Sequence, residues 1–206
     1  MTPDTVDADT RPARVTKRRA ETRARLLDAA YRVFGEKGFG RVRIEDVCAA
    51  AGYTRGAFYS QFDSLDGLFF TLYEQRADVI VAQVADAIAA DDGRGGASVE
   101  ATVERIASTL LLDRDWLLIK TDFLMHAARN AHVAQRLSLH RQTLRSSIEE
   151  RMAAADIAPP APLRTPLDAA KAVIAIYDGV TVQLLLDGDV ASARAWLKQL
   201  LATIVR

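Results

Sequence analysis

The chain is short of several things that would give it chemistry. It has one cysteine, Cys48, in 206 residues, so no internal disulfide framework exists and a reducing, cytoplasmic setting is expected. Its three histidines form no paired zinc-hydrolase motif, and no serine sits in a nucleophile elbow. The glycine cluster Gly93 to Gly96 is not followed by the lysine and hydroxyl pair of a phosphate loop. No catalytic residue, metal site or cofactor is therefore expected. No apolar run approaches the ~18 residues that cross a bilayer. The opening MTPDTVDADT is acidic and polar, the opposite of a signal peptide. No membrane partner is expected.

Runs of β-branched residues are scarce as well, while alanine and leucine dominate, which points to an all-α fold. Half of the residues are hydrophobic, enough to build one large domain or two small ones. Leu26, Leu27, Ala30, Val33 and Phe34 recur at three- and four-residue spacing, a core stripe for a first helix running from Glu21 to Gly38. A short second helix fits Arg43 to Ala50, and a third follows Thr54. A long fourth helix fits 65–90 after Ser64, with further helices over 98–112, 116–129, 132–155, 167–186 and 190–205. Four of the six prolines lie between Ile157 and Pro166, a connector, because proline lacks an N–H and fixes φ. The pattern predicts about nine helices: a basic arm over 1–20, a small head over 21–66, and a larger helical domain over 67–206.

Formal net charge is zero, which argues against nucleic acid until the charges are located. Between Arg11 and Phe62 there are twelve Lys or Arg and five Asp or Glu, a local excess of seven, and the rest of the chain is correspondingly negative. Such an imbalance points to a nucleic-acid face on one part of the chain; the plainer reading is a solvated surface with a charged tail. The same stretch contains the place where two short helices meet at Ala51-Gly52-Tyr53. Gly52 supplies the freedom for that corner, and Thr54 is placed to cap the third helix through its hydroxyl. Thr54, Arg55, Tyr59, Ser60 and Gln61 stand on one side of the third helix, and Phe58 and Phe62 on the other. That is how a chain presents a small polar helix to DNA.

Leu26 to Gly38, the Gly38-Phe39 corner, the run Ile44 to Gly52 and the run Thr54 to Phe62 together resemble the DNA-binding head of the tetracycline-repressor (TetR) family of bacterial regulators. The resemblance covers roughly residues 20–70; beyond it only the layout matches, with an Asp178-Gly179 pair in the penultimate helix. It implies a helix-turn-helix head whose third helix enters the major groove, followed by a ligand-binding and dimerisation domain. It further implies DNA contacts by Arg43, Thr54, Arg55, Gly56, Ala57, Tyr59, Ser60 and Gln61. Arg55 is the candidate base reader, because its fork can donate twice to guanine. Gly56 and Ala57 allow close approach, and Tyr59 matches the family tyrosine that bonds phosphate. The sequence departs from the family where Val42 and Arg43 replace a hydroxyl pair, and where Leu65 replaces a phosphate-clamping lysine. Arg43 can still meet phosphate as a cation. The arm residues Arg11, Arg14, Lys17, Arg18 and Arg19 are further candidates for the backbone or a minor groove.

In the C-terminal half, the last two helices are apolar on more than one side. By resemblance they pair with their copies in a homodimer, which would set two recognition helices on a palindromic operator; packing within the chain alone is the plainer reading. Trp116, Asp122, Phe123, His126 and Tyr177 are the candidate ligand-binding residues for a small-molecule effector. Asp122 and His126 lie one helical turn apart, but that spacing alone is a weak sign of metal. The leading expectation is a transcriptional repressor released from double-stranded operator DNA by a small molecule. The alternative is an all-helical small-molecule binding protein or enzyme with no DNA function.

Overall fold

The computed structural model describes residues 11–89, 99–110, 112–154 and 161–204. The loop expected at 91–96, residues 1–10 of the arm, and residues 157–160 of the connector lie outside these. Among the described residues nine α-helices and one 3-10 turn occur and no strand. The chain divides into two compact units, residues 1–72 and 73–206, six residues beyond the boundary expected at 66.

In the first unit, α1 (Arg11–Lys37) leads through a 3-10 turn (Phe39–Arg41) to α2 (Ile44–Ala51) and α3 (Arg55–Tyr59). Helix α1 starts ten residues earlier than the expected Glu21, so residues 11–20 are helical. The segment RPARVTKRRA is rich in good helix formers, and Pro12 sits in the first turn, where a missing N–H costs nothing. It carries no apolar stripe, so periodicity could not reveal it. Gly38 ends the helix at φ 77°, its N–H donating to the Phe34 carbonyl at 2.9 Å. Phe39 then folds back: its ring centroid lies 5.0 Å from that of Phe34 and 5.8 Å from that of Phe69. Leu26, Ala30, Val47, Phe58 and Leu68 close this core, each fully buried. Helix α4 (Leu65–Ala89) opens on Ser64, whose Oγ accepts from the Gly67 N–H at 3.0 Å.

The second unit holds the rest of α4 with α5 (Val99–Thr109), α6 (Arg114–Ala128), α7 (Ala131–Ala154), α8 (Pro166–Asp187) and α9 (Val190–Ala202). The caps follow local chemistry. Asp113 Oδ1 accepts from the Asp115 N–H at the start of α6, Thr165 Oγ1 from the Asp168 N–H at α8, and Asp189 Oδ1 from the Ala191 and Ser192 N–H groups at α9. Gly188 stops α8 in the left-handed region at φ 70°. Arg194 of α9 donates to the Ala107 and Ser108 carbonyls at the end of α5, a cation set on the negative end of a helix. The core runs through Ile119, Phe123, Leu184 and Leu197.

Helix α8 has 22 residues and an 18-residue window of mean hydropathy 1.5, long and apolar enough to cross a membrane by length and composition. Lys171, Asp178 and Gln183 interrupt the helix, so it holds no unbroken apolar run of that length. In this fold α8 packs against α6, α7 and α9, yet Val182 and Leu186 stay exposed, as does Trp196 on α9.

Candidate nucleic-acid interface and effector cavity

The polar side of the head is built by two caps and a corner. At the corner Gly52 takes φ 72° and ψ 32°, the left-handed region that spares glycine a Cβ clash; the next N–H, of Tyr53, donates to the Cys48 carbonyl at 2.9 Å. Thr54 Oγ1 then accepts from the Ala57 N–H at 3.2 Å, fixing the start of α3 as the sequence predicts. Ahead of α2, Arg43 occupies the cap position, and a guanidinium has no acceptor to offer. Asp46 compensates by accepting from the Arg43 N–H at 2.8 Å and from Lys37 Nζ at 2.7 Å. Its carboxyl is held below the usual range, first by the Lys37 hydrogen bond and then by that backbone N–H. The helix start missing its hydroxyl cap is thus held by the reciprocal bond.

Helix α3 spans only Arg55–Tyr59, so Ser60 and Gln61 sit in the turn after it rather than in the helix. Arg43, Thr54, Arg55, Gly56, Tyr59 and Ser60 are all exposed, and Ala57 and Gln61 are partly so. Ser60 Oγ donates to the Ala57 carbonyl at 2.7 Å, and Gln61 Nε2 donates to Ser60 Oγ at 3.2 Å. Phe58 and Phe62 face the core. The two strongest candidates are engaged with each other: Arg55 donates to the Tyr59 hydroxyl at 3.3 Å and pairs with Glu45 at 2.9 Å. The Arg55–Tyr59 link spans one turn within α3, whereas the Glu45 link could not be read from one helix alone, since Glu45 lies on α2.

Arg19, a candidate arm contact, and Arg23, which carries no sequence signal of its own, both reach the turn after α3. Arg19 donates to the Ser60 carbonyl at 3.3 Å, and Arg23 to the Gln61 carbonyl at 3.1 Å and the Thr71 hydroxyl at 3.1 Å. The Arg23 guanidinium also stands 4.5 Å from the centre of the Phe62 ring. Two cations from α1 therefore hold the negative end of α3. Arg19, taken for an arm contact, has this structural task. Cys48 is buried, and desolvation pushes its thiol up, the state of an inert core thiol.

In the second unit a cavity of about 140 Å³ opens among α4 to α9, with almost wholly apolar walls that include Ile80, Val103, Leu144, Ile148 and Ile174. Trp116 and Tyr177, two of the five sequence candidates, line it. The other three do not: Asp122 is exposed, Phe123 is core, and His126 is half-buried outside the lining. For Asp122 the reason is angular: Lys120, four residues after Trp116, lies about 40° from it around α6, whereas Asp122, six residues on, lies about 120° away. Among the described residues no group of three or more His, Cys, Asp or Glu could hold a metal ion.

The polar groups that do line the cavity come from separate helices. Asp178 of α8 accepts from Lys120 of α6 at 3.0 Å through Oδ1 and from Arg141 of α7 at 2.6 Å through Oδ2. Burial pushes the Asp178 carboxyl up, but the Lys120 charge and the Arg141 hydrogen bond outweigh it and hold it below the ordinary value. Arg76 of α4 faces Asp113 at 3.6 Å. The Tyr73 and Tyr177 phenols are pushed up by burial first and stay neutral hydrogen-bonding groups. The Asp178-Gly179 pair was visible in the sequence as a family trait, but its two cations lie 58 and 37 residues away and carry no local signal.

Two family matches decide what these halves are. Residues 26–72 match the bacterial regulatory proteins of the tetR family, and residues 95–206 match the C-terminal part of BetI-type transcriptional repressors. The chain belongs to the TetR family. Members of this family regulate transcription through a helix-turn-helix head and are not enzymes. Among curated relatives, the HTH-type transcriptional regulator AcrR of Shigella flexneri is 41% identical over 63 residues, 30% of this chain and 29% of that protein. The chain spans less than half the length of the curated relatives it matches. A transcriptional regulator from Rhodococcus sp. Rha1 shares the fold over 88% of this chain and 95% of its own, with a TM-score of 0.67 at 20% identity. The multidrug binding protein EbrR, solved with imidazole, is 26% identical, with a TM-score of 0.59 over 87% of this chain and 89% of its own. As a TetR-family member, the chain has the all-α architecture of a helix-turn-helix head and a helical C-terminal domain.

Proposed function

We propose that this TetR-family chain is a cytoplasmic homodimeric repressor that binds a palindromic operator and is released from it when a small molecule enters the cavity of the second unit. The observation that carries the reading is the exposed polar face of α3. It joins Thr54, Arg55, Gly56 and Tyr59, while Phe58 on the same helix and Phe62 after it are buried in the core of the head. Arg55 would read a base, and Tyr59, Thr54 and Arg43 would take phosphates, with Ala57, Ser60 and Gln61 at the same surface. On binding, the Arg55 side chain would exchange its Glu45 carboxylate for the duplex.

Val182 and Leu186 of α8 and Trp196 of α9 support the dimer, because they leave an apolar strip exposed beside the shallow groove along Ala175, Gly179 and Gln183. A second copy would bury that strip and set the two heads on successive major grooves. The test is a gel shift with the DNA upstream of the chain's own coding sequence. Salt-sensitive, sequence-specific retardation is expected. Its absence would overturn the regulator reading in favour of an all-helical small-molecule binder.

A further inference from the structure

We infer that the effector is a small organic acid, whose carboxylate docks on Lys120 and Arg141 and whose apolar body is about the size of a benzene ring. This rests on reading the cavity as the effector site. Three cations line the cavity, Arg76, Lys120 and Arg141, against one acid, Asp178. Arg76 has Asp113 opposite it. Asp178 divides its two oxygens between Lys120 and Arg141, so one negative charge serves two positive ones. The trio carries an unshared positive charge in an almost wholly apolar chamber.

A charge in such a place is costly unless it is matched. Burial holds the Lys120 ammonium below its ordinary value although Asp178 pulls the other way, so its lost hydration is not made good by a shared carboxylate. An ammonium has three donors and a guanidinium five. Both cations therefore keep N–H groups for a second carboxylate after binding Asp178. A cationic ligand would meet three like charges and find the one acid already taken. A neutral ligand would leave the excess charge as it stands.

Size follows from volume. An apolar protein cavity of about 150 Å³ takes up benzene, and this one measures about 140 Å³. Its walls include two aromatic side chains, Trp116 and Tyr177. Lys120 Nζ stands 4.9 Å from the Tyr177 ring centre, so the charged group and an aromatic ring of the wall lie within reach of one small ligand.

The experiment is calorimetric titration of the full chain with benzoate, its neutral isostere benzamide and the cation benzyltrimethylammonium, at one salt concentration. Benzoate should bind about ten- to hundredfold more tightly than benzamide, the range of one charge-assisted hydrogen bond, with the cation weakest. Lys120→Met should erase the preference for the acid and leave benzamide binding unchanged; Arg141→Met is the second variant should the first not fold. Equal or tighter binding of the amide or the cation, no binding of any probe, or a preference that survives both substitutions would overturn the proposal. The upstream-DNA gel shift on the same preparation separates the two readings. Specific DNA binding without a preference for the acid sinks the organic-acid effector and leaves the regulator. A preference for the acid without DNA binding does the reverse.

Discussion

Removing the Asp178 carboxylate and removing one of its cations should have opposite consequences. Asp178→Asn leaves Lys120 and Arg141 facing each other with no anion between them. Loss of one partner from a fully buried pair costs about 3–5 kcal/mol, whereas an exposed pair is worth about 0–1 kcal/mol. Lys120 keeps 18% of its side chain exposed and Asp178 35%, so the site lies between these limits, and a loss of about 2 kcal/mol is expected. For a chain of this size that lowers the melting temperature by about 4–8 °C. Lys120→Met, by contrast, leaves a matched Asp178–Arg141 pair and adds apolar surface to an apolar wall. It should change stability by less than about 1 kcal/mol in either direction. Thermal unfolding followed by circular dichroism measures both, at fixed protein concentration because a dimer's midpoint depends on it.

The pH dependence gives the same reasoning a second check. The folded Asp178 carboxyl is held below its ordinary value of about 3.9. A depressed carboxylate contributes its stability in full above that ordinary value and loses it as the pH falls through the folded value. The wild-type advantage over Asp178→Asn should therefore be complete at neutral pH and shrink on acidification below about pH 4. If both variants melt together, or if Lys120→Met is the worse of the two, the shared-carboxylate argument fails, and the charge excess in the cavity fails with it.

Other expectations concern the head and the proposed dimer face. Arg55→Ala should cost about 1–3 kcal/mol of specific DNA affinity and relax the preference at one base pair, while Tyr59→Phe should weaken all sequences alike; gel shifts on mutated operators distinguish these. Glu45→Gln frees Arg55 from its exposed pair, so stability should move by under about 1 kcal/mol while DNA affinity rises, and an unchanged affinity would mean that Glu45 does not compete with the duplex. Leu186→Asp with Trp196→Asp should give a monomer in sedimentation velocity, since a charge in an apolar interface is unpaired on both copies. Gly52→Ala forces a side chain into the left-handed region at φ 72°. It should cost about 1–2 kcal/mol in urea unfolding, although the space around Gly52 is open.

The head was legible because its signals are local. Gly38, Gly52, Thr54 and Ser64 each act within four residues of themselves, through backbone freedom or a cap. Helix α1 was missed upstream of Glu21 because propensity without an apolar stripe leaves no period to find. The cavity was half legible. Of the five candidates Trp116 and Tyr177 line the cavity while Asp122, Phe123 and His126 do not, since bulk and polarity in a sequence do not show which face of a helix meets the cavity. Lys120 reads as a lone cation in an apolar run, and Arg141 as one of many on a polar helix. Only the packing of α6, α7 and α8 brings them to one carboxylate.

A ligand can shift an equilibrium only through contacts that differ between two arrangements of the protein. In the second unit the candidates for such contacts are the helices that line the cavity: Tyr73, Arg76 and Ala77 come from α4, Lys120 from α6, Arg141 from α7 and Asp178 from α8. Coupling between a ligand and a second site typically amounts to about 1–3 kcal/mol, or 5- to 150-fold in affinity. A carboxylate drawn to Lys120 and Arg141 would supply a difference of that size if those two cations stood at different distances from it in the two arrangements, because both already share the Asp178 carboxylate and a small displacement of either changes how that one charge is divided.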